Sequence, residues 1–241
     1  MAEFEHMEEW VVGLHDRGII GCAETRDDFI KLKSGRMSPH YANFRGIMSV
    51  NYNIVHYGEG HIQMNNGQQQ RVRELTVEAG AYAIDQLLRV KGQNFDHIAP
   101  IPQAVTQLGG AIALRGGYSS VNVRVPEGEK GYGKHKPVEG DYRKGDRVIG
   151  FDDVVTTGDA KEEFLEPMRM AELEVPGFVV LLDRQEGGRN RIESLGYSLT
   201  PAVGVYAVKE ILRDNNRISA DQYGFIEEYL GEYGDSQQSL F

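Results

Sequence analysis

The sequence predicts an α/β protein built around a parallel β-sheet, preceded by a small N-terminal hood of helix and strands. From residue 71 to residue 212, apolar segments of strand length alternate with amphipathic segments of helical length, which is typical of repeated β-α-β units. The strands are continuous apolar runs, which indicates burial on both faces. We expect a single domain over residues 1–241. Its hood, insertion, core and C-terminal extension are expected at residues 1–48, 49–70, 71–212 and 213–241.

The N-terminal hood has the weaker patterns. Apolar residues at helical spacing predict a helix over residues 5–17, ended by Gly18. A strand at residues 29–33 and an extended segment at residues 41–44 flank a turn rich in Ser, Gly and Pro. Residues 49–70 contain many Gly, Asn and Gln residues, which predicts loops or a hairpin insertion.

In the core, helices and strands follow each other in regular alternation. The predicted helices cover residues 71–90, 103–114, 160–170 and 190–195. The predicted strands cover residues 95–99, 119–125, 148–151, 178–182 and 201–207. A further helix is expected near residues 221–229, before a polar tail. Ligands of parallel sheets bind at the carboxyl ends of the strands, so the loops that follow these strands are the expected site.

One segment carries the clearest functional signal. An apolar strand ends on Asp152 and Asp153, and a loop with two Thr and one Gly, residues 156–158, leads into a helix. The first N–H groups of a helix lack partners within it and attract anions. Carboxylates beside such a cradle fit a phosphorylated ligand that also bears hydroxyls, such as a sugar phosphate. The alternative is an ordinary strand-to-helix turn in which Asp159 is the N-cap.

A long loop at residues 126–144 is rich in Gly and in basic residues. The cations in and beside it are Arg124, Lys130, Lys134, His135, Lys136, Arg143 and Lys144. Because the loop follows a strand whose end faces the expected site, we interpret it as a lid that brings positive charge onto a leaving diphosphate and excludes water. The alternative is a solvated surface loop.

Composition limits the class of protein and its partners. The formal net charge of −10 argues against nucleic acid as the main partner. Cys22 is the only cysteine, which excludes an intramolecular disulfide and fits a reducing cytoplasm. The acidic N-terminus lacks the features of a signal peptide, and no apolar run reaches the roughly 18–20 residues of a membrane span. We therefore expect a cytoplasmic protein with no membrane partner.

Three segments resemble orotate phosphoribosyltransferases, a family of type I phosphoribosyltransferases. Residues 147–160 are similar to the family's phosphoribosyl pyrophosphate (PRPP) motif, a strand followed by Asp-Asp, two aliphatic residues and Thr-Thr-Gly. Residues 32–41 are similar to its Leu-Lys-Ser-Gly-Arg-x-Ser-Pro-x-Tyr segment, and residues 182–189 to its Leu-Asp-Arg-x-x-x-Gly segment. The resemblance runs from about Leu14 to Leu212, apart from residues 49–70.

The resemblance implies a type I phosphoribosyltransferase fold and a reaction. PRPP and orotate would form orotidine 5′-monophosphate and pyrophosphate, with Mg²⁺ bound through the substrate diphosphate and no protein ligand assigned to it. The resemblance also implies a homodimer in which the catalytic loop reaches the neighbouring subunit's site.

The resemblance also implies roles for individual residues. PRPP would be bound by Arg124, Lys130, Tyr132, Asp152, Asp153, Val154, Val155, Thr156, Thr157, Gly158, Asp159 and Ala160. Orotate would be bound by Lys33, Tyr41, Thr156 and Arg184. Lys130, as the cation of the catalytic loop, and Asp153 are the expected catalytic residues. An arginine suits a planar, carboxylate-bearing pyrimidine because it can donate two parallel hydrogen bonds.

The chain departs from the family pattern at three places. Val125 stands where the loop commonly has its first lysine, and the spacing to Lys130 is two residues longer. The diphosphate loop, residues 99–105, lacks the family's lysine. Asp159 places a carboxylate in the phosphate cradle, where like charge weakens binding. Two alternatives stay open: a transferase for another base, and a non-catalytic regulator that binds PRPP or a nucleotide.

Overall fold

The computed structural model describes residues 5–32, 34–44, 54–57, 60–63, 95–102, 104–124 and 136–235. The helices are α1 (Glu5–Asp16), α2 (Thr106–Gly116), α3 (Asp159–Met170), α4 (Gly188–Ser194), α5 (Val205–Asp214) and α6 (Ala220–Tyr233). The strands of the first half are β1 (Ile20–Cys22), β2 (Ile30–Lys31), β3 (Met37–Ser38), β4 (His40–Ala42), β5 (Ile54–Tyr57) and β6 (Gly60–Gln63). Those of the second half are β7 (His97–Pro100), β8 (Ser119–Ser120), β9 (Asn122–Val123), β10 (Val138–Glu139), β11 (Arg147–Val155), β12 (Glu174–Asp183) and β13 (Ser198–Gly204).

The chain divides into two compact units. The sheet unit comprises Val77–Asp183 and Gly187–Ala202. The terminal unit comprises Met1–Thr76, Arg184–Glu186 and Val203–Phe241. Both chain ends therefore belong to the terminal unit, together with three residues that directly follow β12.

The main sheet has five strands in the order β13-β12-β11-β7-β8. β11 is parallel to both its neighbours, β12 and β7, and β7 is parallel to β8. Parallel strands need crossover connections, and α3 provides the one between β11 and β12. The predicted α/β class with a parallel sheet is confirmed.

The centre of this sheet is closely packed. Val148 and Ile149 of β11 have no exposed surface, and Phe164 and Met168 bring one face of α3 into the core. Gly150 lets the ring of Phe178 lie against β11, because a Cβ at position 150 would come within 2.5 Å of that ring. Close packing across these layers holds α3 in a fixed position against the sheet.

β11 is longer than predicted. It runs through Val155 instead of ending at residue 151, so Asp152 and Asp153 lie within the strand. The pairing with β12 explains the difference, because it continues to the pair Val155 and Asp183. Neighbouring strand residues point to opposite faces, so the two carboxylates differ in environment.

The segment at residues 119–125 forms two short strands instead of the single predicted one, and the loop after it is shorter than predicted. Val121 is fully buried and separates β8, which joins the main sheet, from β9, which pairs with β10 in an antiparallel ribbon. The predicted loop at residues 126–144 therefore contains a strand. Arg143 and Lys144 directly precede β11, at the end opposite to the Asp residues, so they are not part of a lid over the carboxyl end.

The terminal unit contains the predicted N-terminal helix, as α1, and short strands. β1 pairs with β4, and β2 pairs with β3. Both residues of β3, Met37 and Ser38, lie in the segment that the sequence predicts as a turn. The insertion contains an antiparallel hairpin of β5 and β6. The predicted helix at residues 71–90, the middle of the basic loop and the polar tail lie outside the described residues.

The end predicted for the strand at residues 201–207 is wrong. The strand ends at Gly204, and α5 begins at Val205. Val and Tyr favour strands, which explains the wrong prediction. The buried residues of α5, Val205, Val208, Lys209 and Leu212, nevertheless have helical spacing. No helix in the described ranges is both long and apolar enough to cross a membrane.

Candidate active site

The predicted anion cradle is formed at the end of β11. The chain leaves the strand at Val155, turns at Thr156 and Thr157, and enters α3 at Asp159. Gly158 is the N-cap and has a φ of 89°, a left-handed conformation that glycine adopts without strain. The first N–H groups of α3 have no acceptor within the helix, and the positive end of the helix dipole lies at the same place. The loop is thus suited to a phosphate group.

Asp159 is not the N-cap but the first residue of α3, and its negative charge is matched. One of its oxygens accepts a hydrogen bond from the Thr157 hydroxyl at 2.6 Å, and the other accepts one from Arg191 Nη1 at 2.5 Å. Both interactions hold the pKa of Asp159 below its usual value, the Thr157 hydrogen bond first. Arg191 also forms a bidentate pair with Glu162. The Thr157 hydroxyl is therefore engaged within the loop, and Arg191, which the sequence did not reveal as part of this site, braces it.

Gly188 lies closely against the loop that follows β11. A Cβ at this position would lie 2.5 Å from the Thr156 carbonyl oxygen and 2.7 Å from Val155 Cγ2. The first of these is a backbone atom, so relief requires the phosphate loop itself to move.

We expect Gly188→Ala to weaken PRPP binding at least tenfold and to lower the free energy of unfolding by about 1–3 kcal/mol, as overpacking does. Calorimetric titration with PRPP and urea denaturation measure the two effects. Gly110→Ala is the matched control, since a Cβ there meets nothing within 4 Å. Equal PRPP affinity in both variants would show that Gly188 does not shape the loop.

Asp152 and Asp153 are not equivalent. Asp152 is 6% exposed, and its two oxygens accept hydrogen bonds from Lys161 Nζ at 2.5 Å and from the Asp153 N–H at 2.9 Å. Asp153 is half-buried, and one of its oxygens accepts the Val154 N–H at 2.8 Å. Burial, followed by the negative charge of Asp152, raises the pKa of Asp153 to about 7. Both effects disfavour the ionised form of Asp153.

In the terminal unit, a group that we call the arginine cluster consists of the buried residues Arg184, Glu186, Ser38 and Tyr229 and the half-buried Arg36. Arg184 is 4% exposed and donates from Nε to Glu186 at 2.8 Å and from Nη2 to the Ser38 hydroxyl at 2.8 Å. The other oxygen of Glu186 accepts the Tyr229 hydroxyl at 3.0 Å and Arg36 Nη1 at 3.3 Å. Two segments that resemble the family are thus brought together around one carboxylate. Neither Glu186 nor Tyr229 was expected from the sequence.

The remaining predicted site residues are placed as follows. Tyr41 lies on β4 opposite Gly21, where a Cβ would be 2.4 Å from the tyrosine hydroxyl, so glycine leaves room for its ring. Arg124 is exposed beside the β9–β10 ribbon, and its Nε lies 3.4 Å from Glu139. Lys33, Lys130 and Tyr132 lie outside the described residues.

Comparisons with known proteins give the family. No protein-family model matches the chain. The orotate phosphoribosyltransferase of Sulfolobus acidocaldarius is 32% identical over 144 residues, which are 58% of this chain and 70% of that protein. The structure of Leishmania donovani UMP synthase is similar with a TM-score of 0.73 and 26% identity, over 94% of this chain and 42% of that one. The structure of orotate phosphoribosyltransferase from Aeropyrum pernix is similar with a TM-score of 0.59 and 26% identity, over 87% of this chain and 99% of that one. With its type I phosphoribosyltransferase fold, the chain therefore belongs to the orotate phosphoribosyltransferase family.

Proposed function

We propose that this protein transfers the phosphoribosyl group of PRPP to orotate, forming orotidine 5′-monophosphate and pyrophosphate in pyrimidine synthesis. The observation that carries the proposal is the cradle after β11, with an anion-binding helix N-terminus directly beside the half-buried Asp153. A phosphate group and a ribose are adjacent in PRPP in the same way. Family membership supports the choice of orotate as the acceptor.

In this proposal the 5′-phosphate of PRPP lies on the loop from Thr156 to Ala160. The helix N-terminal N–H groups and the Thr156 hydroxyl donate to its oxygens. Val154 and Val155 hold the end of the strand in place, and the ionised Asp153 accepts hydrogen bonds from the ribose hydroxyls. Asp159 and Thr157 bind each other and Arg191, so they contribute by fixing the loop.

The chemical step needs fixed charges more than covalent catalysis. The bond from ribose C1′ to the diphosphate oxygen breaks while a bond from C1′ to orotate N1 forms, and positive charge develops on the ribose ring. The proton that orotate carries on N1 is released to solvent. A preorganised carboxylate stabilises such a charge, and cations stabilise the departing pyrophosphate. We assign the first task to Asp153 and the second to Lys130 and Arg124.

Lys33, Tyr41 and Arg184 remain our proposal for orotate recognition, together with Thr156. Three N–H groups of Arg184 donate to Glu186, Ser38 and, at 3.4 Å, the His40 carbonyl. A guanidinium has five N–H donors, so these three bonds do not use all of them. Its protein partners fix the plane of the guanidinium.

We also propose Mg²⁺ as the cofactor, a homodimer that shares the catalytic loop, and a cytoplasmic location. The described ranges contain no group of three His, Cys, Asp or Glu side chains that could hold a metal. In this proposal the diphosphate and water would supply most of the ligands of Mg²⁺, since this ion is commonly bound in that way with phosphate substrates. Bound in this way, it would neutralise charge on the leaving group.

Lys130→Ala is expected to lower kcat by roughly 10²–10³-fold, the usual loss when one preorganised charge is removed from a transition state. Orotate-dependent release of pyrophosphate from PRPP measures it. Lys144→Ala is the control, because Lys144 is an exposed residue at the opposite end of β11, paired with Glu172. Full turnover by the Lys130 variant would contradict its catalytic role, and pyrophosphate release without orotate dependence would contradict the assigned acceptor.

A further inference from the structure

Lys161 occupies a position where the fold calls for an apolar residue. Together with Phe164 and Met168 it forms the buried face of α3, and it is only 2% exposed. Its Nζ donates to Asp152 Oδ2 at 2.5 Å and to the Val154 carbonyl oxygen at 2.7 Å. A buried lysine is costly unless it is paired, and an ion pair at such a position rarely adds stability over apolar packing. We therefore look for the role of this ion pair in the candidate active site.

We propose that Lys161 is a positioning residue that anchors Asp152 inside the sheet unit, so that Asp153 is the carboxylate that meets the ribose hydroxyls of PRPP. This inference rests on the proposed function and assigns the two acids of the PRPP motif different tasks. Lys161 itself touches neither substrate.

The geometry of the two hydrogen bonds supports this division. Lys161 contacts the residues directly before and after Asp153, so it fixes the strand on both sides of that carboxylate. Neighbouring strand residues point to opposite faces, and Asp152 is turned toward α3, where Lys161 lies. With one oxygen on Lys161 and the other on the Asp153 N–H, Asp152 has both oxygens engaged by the protein.

The charges support it as well. The charged groups that act on Asp153 are Asp152, on its own strand, which raises its pKa, and Lys161, on α3, which lowers it. Two neighbouring carboxylates without a cation share a proton more readily. Removing Lys161 alone therefore raises the pH at which the pair of acids takes up its first proton.

The test compares Lys161→Met with Lys161→Arg and with Lys144→Met, which removes an exposed lysine from a carboxylate pair elsewhere. For Lys161→Met we expect KM for PRPP to rise roughly tenfold and the acid limb of kcat/KM to move up by about one pH unit. We expect Lys161→Arg to restore most of the wild-type KM and most of the wild-type acid limb. Lys144→Met should match the wild type in both. A Lys161→Met enzyme that melts at lower temperature but keeps the wild-type KM and pH profile would overturn the proposal.

A second variant covers the case in which Lys161→Met does not fold. Asp152→Asn with Lys161→Met removes both charges, and because the effect of Asp152 on Asp153 is the larger one, the acid limb should then move to lower pH. Movement to higher pH, or none, would overturn the proposal. PRPP binding measured by calorimetry across pH gives the same comparison without orotate. If the wild type bound PRPP but consumed no orotate, the proposed function would fail, while the Lys161 comparison would still be decided by binding.

Discussion

Asp153→Asn is expected to lower kcat/KM for PRPP by roughly 10²–10³-fold, because in the proposed mechanism this carboxylate stabilises the positive charge on the ribose in the transition state. The same substitution should stabilise the ligand-free protein. Burial raises the pKa of Asp153 from 3.8 to about 7, so the folded state disfavours its ionised form. A difference of about three pH units corresponds to about 4 kcal/mol when the group is fully ionised. Accommodating the amide offsets part of this, which leaves an expected gain of about 2 kcal/mol at pH 8.

The pH dependence has opposite signs for stability and for binding. Between the unfolded pKa near 4 and the folded pKa near 7, the folded state holds a proton that the unfolded state has lost, so this group reduces stability as pH rises through that window. Binding that requires the ionised form strengthens over the same window, by up to about tenfold per pH unit below pH 7.

Urea denaturation and PRPP titration at pH 5, 6, 7 and 8 measure both trends in the wild type and in the Asp153→Asn variant. The variant should lose the part of each pH dependence that comes from this residue. Glu163→Gln, a change at an exposed position on α3, is the control. A variant that is less stable than the wild type at pH 8 and retains the wild-type pH dependence of binding would contradict the role given to Asp153.

Glu186→Ala is expected to lower the free energy of unfolding by about 3–5 kcal/mol, because it leaves Arg184 as a buried charge without its main partner. It also removes the acceptor of Tyr229 and Arg36. Urea denaturation measures the loss. The matched control is Glu193→Ala, which breaks an exposed i,i+4 pair with Arg189 and should cost less than about 0.5 kcal/mol.

A double variant shows whether the loss of stability comes from the unpaired charge of Arg184 or from the loss of the other contacts of Glu186. Arg184→Met with Glu186→Met removes both charges and fills the space with apolar atoms, so it should recover at least about half of the loss seen in Glu186→Ala. A loss below about 1 kcal/mol for Glu186→Ala, or no recovery in the double variant, would show that the arginine cluster does not stabilise the terminal unit.

The phosphate cradle could be predicted from the sequence because it is local. A strand, a Thr-Thr-Gly turn and a helix N-terminus form within one short segment, and the physics of anion binding at such a turn needs no distant residue. The central strands were predictable for a similar reason, since their apolar runs are continuous. Pairing between strands then set their real lengths, which placed Asp152 and Asp153 inside β11.

The partners of the charged residues could not be predicted. Lys161 has the spacing of a core residue, but a lysine at such a position is normally read as exposed, and its contact with Asp152 depends on how α3 packs on β11. The arginine cluster depends on the fold in the same way, because Arg184 meets Ser38 across 146 positions of sequence and Tyr229 meets Glu186 across 43. Sequence patterns indicated which residues carry chemistry, and the tertiary structure decided which of them are engaged within the protein.

The most direct measurement is the consumption of orotate by the wild-type protein with PRPP and Mg²⁺, followed by the loss of orotate absorbance and by identification of the product. Uracil, adenine and hypoxanthine serve as competing acceptors in parallel reactions. We expect orotidine 5′-monophosphate and pyrophosphate in equal amounts, and little product from the other bases. Binding of PRPP without consumption of orotate, or faster transfer to another base, would contradict the proposed function.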